Sequence, residues 1–172
     1  MNAQIAHDFL LPACLSLFPA QYNTPAARAM MLAIALQESD FESRQQLIGH
    51  HRNWWQSLNG PAVSYWQFER IGIRGVLEHR TTGPLIRSVL KTLGYPDDVE
   101  TIFKAITHND ILAVCFARLL LFRVPQALPA GPQDVNEAWR QYLWAWAPGK
   151  PKPERWPSRY ALAWEIVARA GA

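Results

Sequence analysis

Glu38-Ser39-Asp40-Phe41 is the segment of this chain best equipped for chemistry, because it sets a carboxylate among apolar neighbours at the end of a helix-patterned stretch. Ile34, Leu36 and Phe41 flank Glu38, and withdrawing water from a carboxyl raises its pKa, so a proton remains available for donation near neutral pH. Glu42 follows four residues on; a helix continuing that far sets it beside Glu38, where like charge pushes the same way. Asp40 points elsewhere and reads as a solvated cap or turn residue. Composition alone favours the plainer reading of Glu38, an exposed acid near a helix end.

A second segment, Gly60-Pro61-Ala62-Val63-Ser64-Tyr65-Trp66-Gln67-Phe68-Glu69, packs aromatics, an amide and an acid after a turn. Aromatic faces stack on the apolar faces of sugar rings, and Gln67 can donate to and accept from a hydroxyl or acetamido group. Trp66 and Phe68, at alternate positions, read equally well as core residues at a turn. Third comes the run Trp139, Tyr142, Trp144, Trp146, then Trp156, in a chain with 8 tryptophans. Trp139, Tyr142 and Trp146 share one helical face and Trp144 is displaced from it. Most of that stripe is core by default, leaving one or two members to wall a saccharide groove.

Other reactive residue types lead nowhere further. His50-His51 is an adjacent pair in an irregular segment, without the cysteine or helical histidine partner a zinc site needs, so no metal is expected. Cys14 and Cys115, the 2 cysteines, lie in apolar surroundings and read as inert core thiols. Neither a nucleophile elbow nor a phosphate-binding glycine loop is present.

The elements that must position these residues are helical. Thr24 reads as an N-cap with Pro25 at the first helical position, opening a helix to about Glu38. An N-terminal helix ends near Pro19, and further helices are expected at about 68 to 79, 83 to 93 and 98 to 107. Asn109-Asp110 caps a strongly apolar helix, Ile111 to Phe122, whose only charge is Arg118 and which should cross the middle of the core. Asp134 starts a tryptophan-rich helix that Pro148 and Gly149 end. The stretch 150 to 155 reads as extended, and Pro157-Ser158 opens the last helix. Residues 43 to 65 show little periodicity and no sustained strand; a connection of that length is functional or carries a short element.

Composition bounds the rest. The chain has 172 residues, 49% hydrophobic and 18% charged, which excludes a disordered polymer and fits one all-α domain over 1–172. The uncharged stretch Phe9 to Ala27 is broken by three prolines and preceded by His7 and Asp8, so neither a spanning helix nor a secretory signal is read there. The balance of 17 basic against 14 acidic residues, +3, suits an anionic polymer without demanding nucleic acid. Arg70, Arg74, Arg80, Arg87 and Lys91 form a basic strip that Glu69 and Glu78 interrupt, and Lys150, Lys152 and Arg155 form another; both read as solvated faces.

Taken in chain order, the three segments resemble the lysozyme-like superfamily, in particular soluble lytic transglycosylases and goose-type lysozymes, over roughly residues 24 to 160. In those enzymes a helix ends in Glu-Ser-x-Phe, matched here by Glu38-Ser39-Asp40-Phe41. Their Gly-x-x-Gly-Leu-Met-Gln motif is similar to Gly60 to Gln67. Their Ala-Tyr-Asn-x-Gly turn, followed by an aromatic, is echoed by Ala145-Trp146-Ala147-Pro148-Gly149 and Trp156. The chain departs at Ser64, where glycine is expected, at Trp66 in place of Met, and at Ala147 in place of Asn. The stretch between the first two motifs is longer than usual. The whole also resembles small phage-encoded proteins of this type.

The resemblance implies a lysozyme-like fold with a long cleft-forming loop region. The activity it implies is cleavage of peptidoglycan glycan strands between N-acetylmuramic acid and N-acetylglucosamine, with Glu38 as general acid and no cofactor. Ser39, Tyr65, Gln67, Tyr142 and Trp146 would contact the glycan. In the transglycosylase outcome the substrate's N-acetyl group attacks the anomeric carbon, and Glu38 then acts as base on the 6-hydroxyl. In the hydrolytic outcome water attacks, and Glu69 or Glu42 orients it. The expected setting is synthesis in the cytoplasm without a signal peptide, then action on the wall after release or as a virion component beside other virion proteins. Neither nucleic acid nor stable membrane insertion is expected. Two other readings stand beside this one: a virion or interaction protein that keeps the fold without catalysis, and, further off, a helical nucleic-acid-binding module.

Overall fold

The computed structural model describes residues 1–48 and 58–170; the pair His50-His51 lies outside them. The chain begins with α1 (Ala3–Ile5), runs through a π-helical turn Ala6–Leu10, and continues as α2 (Leu11–Leu15). After a 3-10 turn at Ala20–Tyr22 comes α3 (Pro25–Ser39), opened as its sequence predicts: the Thr24 hydroxyl accepts from the Ala27 amide at 3.1 Å and Pro25 takes the first position. Ala27 and every residue from Ala29 to Gln37 are buried, so α3 is a core helix apolar on all sides, not a surface helix with one wet face.

Between α3 and the next helix lies a small antiparallel sheet, β1 (Gln45–Ile48) and β2 (Leu58–Val63), pairing Gln45 with Val63 and Ile48 with Leu58. This corrects the strand-free expectation for 43 to 65: the long connection carries a short element. The absence of alternation is intelligible, because the register shifts between Gln45 and Leu47 and β2 contains Gly60 and Pro61. Past β2 the chain folds back in a tight turn, with Val63 and Phe68 exchanging backbone hydrogen bonds of 2.9 and 2.7 Å.

Five helices follow in the expected places: α4 (Arg70–Glu78), α5 (Thr82–Leu93), α6 (Val99–Ile106), α7 (Asp110–Phe122) and α8 (Val135–Trp146). Asp98 caps α6 through the Thr101 amide and Asn109 caps α7 through the Leu112 amide, at 2.9 and 3.0 Å. Gly94 ends α5 in the left-handed conformation that only glycine adopts without cost. A 3-10 turn at Pro153–Arg155, where extended chain was expected, leads into α9 (Trp156–Arg169). The fold is thus mostly helical. α7 is buried from Leu112 to Leu121 and crosses the core beside α3, whose closest packing is with α9. One continuous cluster of buried side chains runs from Ala3 to Val167. Among the described residues no single helix is long and apolar enough to cross a membrane.

Candidate active site

Glu38 sits in the last turn of α3, half-buried, with Ser39 the final helical residue. The helix stops there because Asp40 and Phe41 both take left-handed backbone, at φ 53° and 58°. The two turned residues swing the chain away, so Glu42 does not continue the helix face and stands exposed; its amide reaches back to the Ser39 carbonyl at 2.9 Å. The condition for Glu42 to stand beside Glu38, a helix continuing that far, is therefore not met. Asp40 is the expected cap residue, with Arg159 of α9 as its ion-pair partner. Arg159 also donates from Nε to the Leu36 carbonyl at 2.8 Å, and Gln37 donates to the Lys152 carbonyl at 3.0 Å. The end of α3 that carries Glu38 is thereby fastened to the C-terminal part of the chain on both sides.

The decisive contact comes from 104 residues away: the Tyr142 hydroxyl of α8 donates to Glu38 Oε1 at 2.7 Å. Loss of water around Glu38 raises its pKa to about 7; the Tyr142 hydrogen bond opposes that rise, the charge of Glu69 adds to it and Lys152 opposes it. Tyr142 is held above the ordinary phenol range by burial and by the neighbouring carboxylate, so it stays a donor. Its ring lies in an aromatic column, stacked on Trp156 at 5.1 Å, which in turn stacks on Tyr160 at 5.8 Å. Trp139 meets both Tyr142 and Trp156, at 5.1 and 5.5 Å.

The turn after β2 forms the facing wall. The Ser39 hydroxyl donates to the Tyr65 carbonyl at 2.8 Å, and Trp146 Nε1 donates to the Trp66 carbonyl, also at 2.8 Å. Trp66 is fully buried and donates to the Met31 carbonyl at 3.0 Å, so this turn is bolted to both α3 and α8. The Gln67 side-chain nitrogen donates to the Ser64 carbonyl at 2.8 Å, and its carbonyl oxygen has no protein partner among the described residues. Tyr65 and Tyr142 are 3% and 2% exposed, which sets both rings in the core rather than open to the glycan contact expected of them. Tyr65 packs on Phe41 at 5.4 Å beneath Arg44, whose guanidinium lies 4.5 Å from its ring and forms a double hydrogen bond with Asp110. Trp146 is half-buried against Phe68, whereas Trp144, off the stripe, is 54% exposed. Glu69 is exposed at the N-cap of α4, acting on Glu38 through charge alone.

Asp40, Phe41, Ser64, Gln67 and Ala147 are the non-glycine residues of the described chain with left-handed backbone, and all five lie on the segments that surround Glu38. Such conformations cost about 1 kcal/mol or more apiece and gather where a site over-determines its backbone. No three histidine, cysteine or carboxylate groups among the described residues are placed to hold a metal. In the basic strip, Arg70 and Arg87 are paired with Glu100 and Asp97. No family model, curated protein or solved structure matches this chain.

Proposed function

We propose that the chain cleaves the glycan strands of bacterial peptidoglycan, with Glu38 delivering the proton to the leaving glycosidic oxygen. The observation that carries this reading is the setting of Glu38: a desolvated carboxyl at a helix end, oriented by the Tyr142 hydroxyl and about half protonated near neutral pH. Glycoside cleavage needs such an acid and stabilisation of an oxocarbenium-like centre. Glu38 has no second buried carboxylate facing it among the described residues, since Glu42 is turned away and Glu69 is exposed. That favours stabilisation by the substrate's own acetamido group, followed by return of the proton to Glu38 from the 6-hydroxyl. Gln67 offers the acetamido N–H a carbonyl oxygen that has no partner among the described residues, and Trp146 is half-buried rather than closed into the core.

The lysozyme-like reading of the fold draws support from two of the departures in its motifs. Ser64 and Ala147 replace the expected glycine and asparagine, and both adopt the left-handed backbone for which those two residue types are suited, at φ 69° and 43°. The local geometry is kept where the residue type is not. A polymer strand lies along an open groove, and Glu38 lines neither the cavity beside Arg118 nor the one beside His108.

Digestion of purified peptidoglycan by wild type and Glu38→Gln, with products identified by mass, tests the proposal. Anhydro-muropeptides that vanish in the variant establish transglycosylation, and reducing-end products establish hydrolysis. An inactive wild type sinks the enzymatic reading for this substrate and moves weight to a non-catalytic virion protein.

A further inference from the structure

Arg118 is the buried charge of the apolar helix α7, 3% exposed and more than two turns past Asp110 at its start. Its Nε donates to the Tyr22 carbonyl at 2.8 Å, and its guanidinium carbon lies 5.2 and 5.7 Å from the Tyr22 and Phe122 rings. No carboxylate of the described residues pairs with it, and Nη1 has no hydrogen-bond partner. Burial pulls its pKa down to about 10, so it remains a cation at neutral pH. An unpaired buried cation is costly, because buried charges are ordinarily paired, so a counter-charge entering from outside would relieve that cost.

Arg118 lines a cavity of about 510 Å³ whose other walls include Leu121, Phe122, Leu128, Ala127 and Trp164. Trp164 Nε1 is a second buried donor on the same cavity; it makes no hydrogen bond of normal geometry, its polar neighbour being the Tyr160 hydroxyl. The size falls within the usual range for small-molecule sites, and the walls are mostly apolar, as such sites are. Thr24 and Pro25 close one side, which places the cavity at the start of α3, roughly 20 Å along that helix from Glu38.

We propose that this cavity binds a small amphiphilic monocarboxylate, its head group accepting from Arg118 and the Trp164 indole and its apolar chain lying against Leu121, Phe122 and Leu128. One guanidinium neutralises one negative charge; a phosphate dianion would keep a charge uncompensated against apolar walls. An ammonium head group would face Arg118 with like charge. A neutral alcohol would satisfy a donor but leave the cation unpaired. The inference is independent of the peptidoglycan reading, since it involves none of the residues around Glu38 and its test reads binding.

The full chain, labelled with nitrogen-15, is titrated with octanoate, 1-octanol and octylammonium while the indole N–H resonances are followed; Trp164→Phe assigns the Trp164 signal. The Trp164 resonance should move saturably with octanoate, and at least about tenfold more ligand should be needed for the other two. Arg118→Met should bring octanoate down to the level of octanol, and Ala127→Phe, which fills the cavity from an exposed loop position, should abolish the response. Equal binding of octanol and octanoate overturns the proposal. So does a Trp164 signal unmoved by millimolar octanoate, or octanoate binding that survives Ala127→Phe. If Arg118→Met does not fold, the three-ligand comparison on wild type and the Ala127→Phe variant decide the matter.

Discussion

Glu38 is maintained in its raised-pKa state at a cost in stability, and that cost has a sign that can be measured. Between the ordinary carboxyl value of 4.5 and about 7 the folded protein keeps a proton that the unfolded chain releases. Stability contributed at this site therefore falls as pH rises through that window and is level above it, by at most about 3 kcal/mol. Glu38→Gln should match wild type in chemical denaturation near pH 4 and exceed it at pH 8; a variant no more stable at pH 8 would show that the carboxyl is not desolvated. In the peptidoglycan reading, activity is lost as pH rises and the acid ionises. Glu69→Gln removes a like charge and should move that alkaline limb down, by less than the Tyr142 change moves it, because Glu69 is exposed and screened. Tyr142→Phe removes the hydrogen bond that favours the ionised carboxylate, so the limb should move up instead. The opposite directions separate these roles from general loss of fold.

At the scale of elements, the ends of α3 and α8 and the turn after β2 meet at Glu38, and each is tied by a left-handed residue that is not glycine. Ala147, which caps α8 at φ 43° and ψ 51°, is exposed, and glycine there should stabilise the protein by about 0.5–1 kcal/mol in thermal or denaturant unfolding. Arg159→Ala, which strips the α3 terminus of its Leu36 and Asp40 contacts, should destabilise by about 1–3 kcal/mol on the same assays. Helix starts were legible in the sequence at Thr24 and Asn109 because caps are local, each bonding an amide three residues ahead, as Asp98 also does at the start of α6. Glu38 was legible as a candidate from its neighbours in the chain. Its partner Tyr142 was not, because nothing local in either segment encodes a contact spanning 104 residues. The hairpin escaped for a related reason, since its strands are short, irregular in register and interrupted by Gly60 and Pro61. The left-handed turns were hidden by residue type, Ser, Phe and Ala being poor signals for that backbone.

Across the whole molecule, α3 and α7 lie side by side in the core and carry two features at separate places. Glu38 marks one end of α3, and the cavity beside Arg118 flanks its beginning. Deep in the same core, Cys14 of α2 and Cys115 of α7, both fully buried as core thiols, touch at 3.0 Å and form a contact pair. Burial and the Cys115 sulfur hold the Cys14 thiol well above its usual pKa, which makes it a poor nucleophile while the protein is closed. A thiol-specific reagent therefore meets neither sulfur until α2 parts from α7. Labelling followed by intact mass should be slow and should show doubly modified chains with scarcely any singly modified ones; rapid single labelling would mean that α2 detaches alone. The pair thus serves as an internal clock, reporting without any added probe how often the N-terminal helix lets go of the centre of the protein.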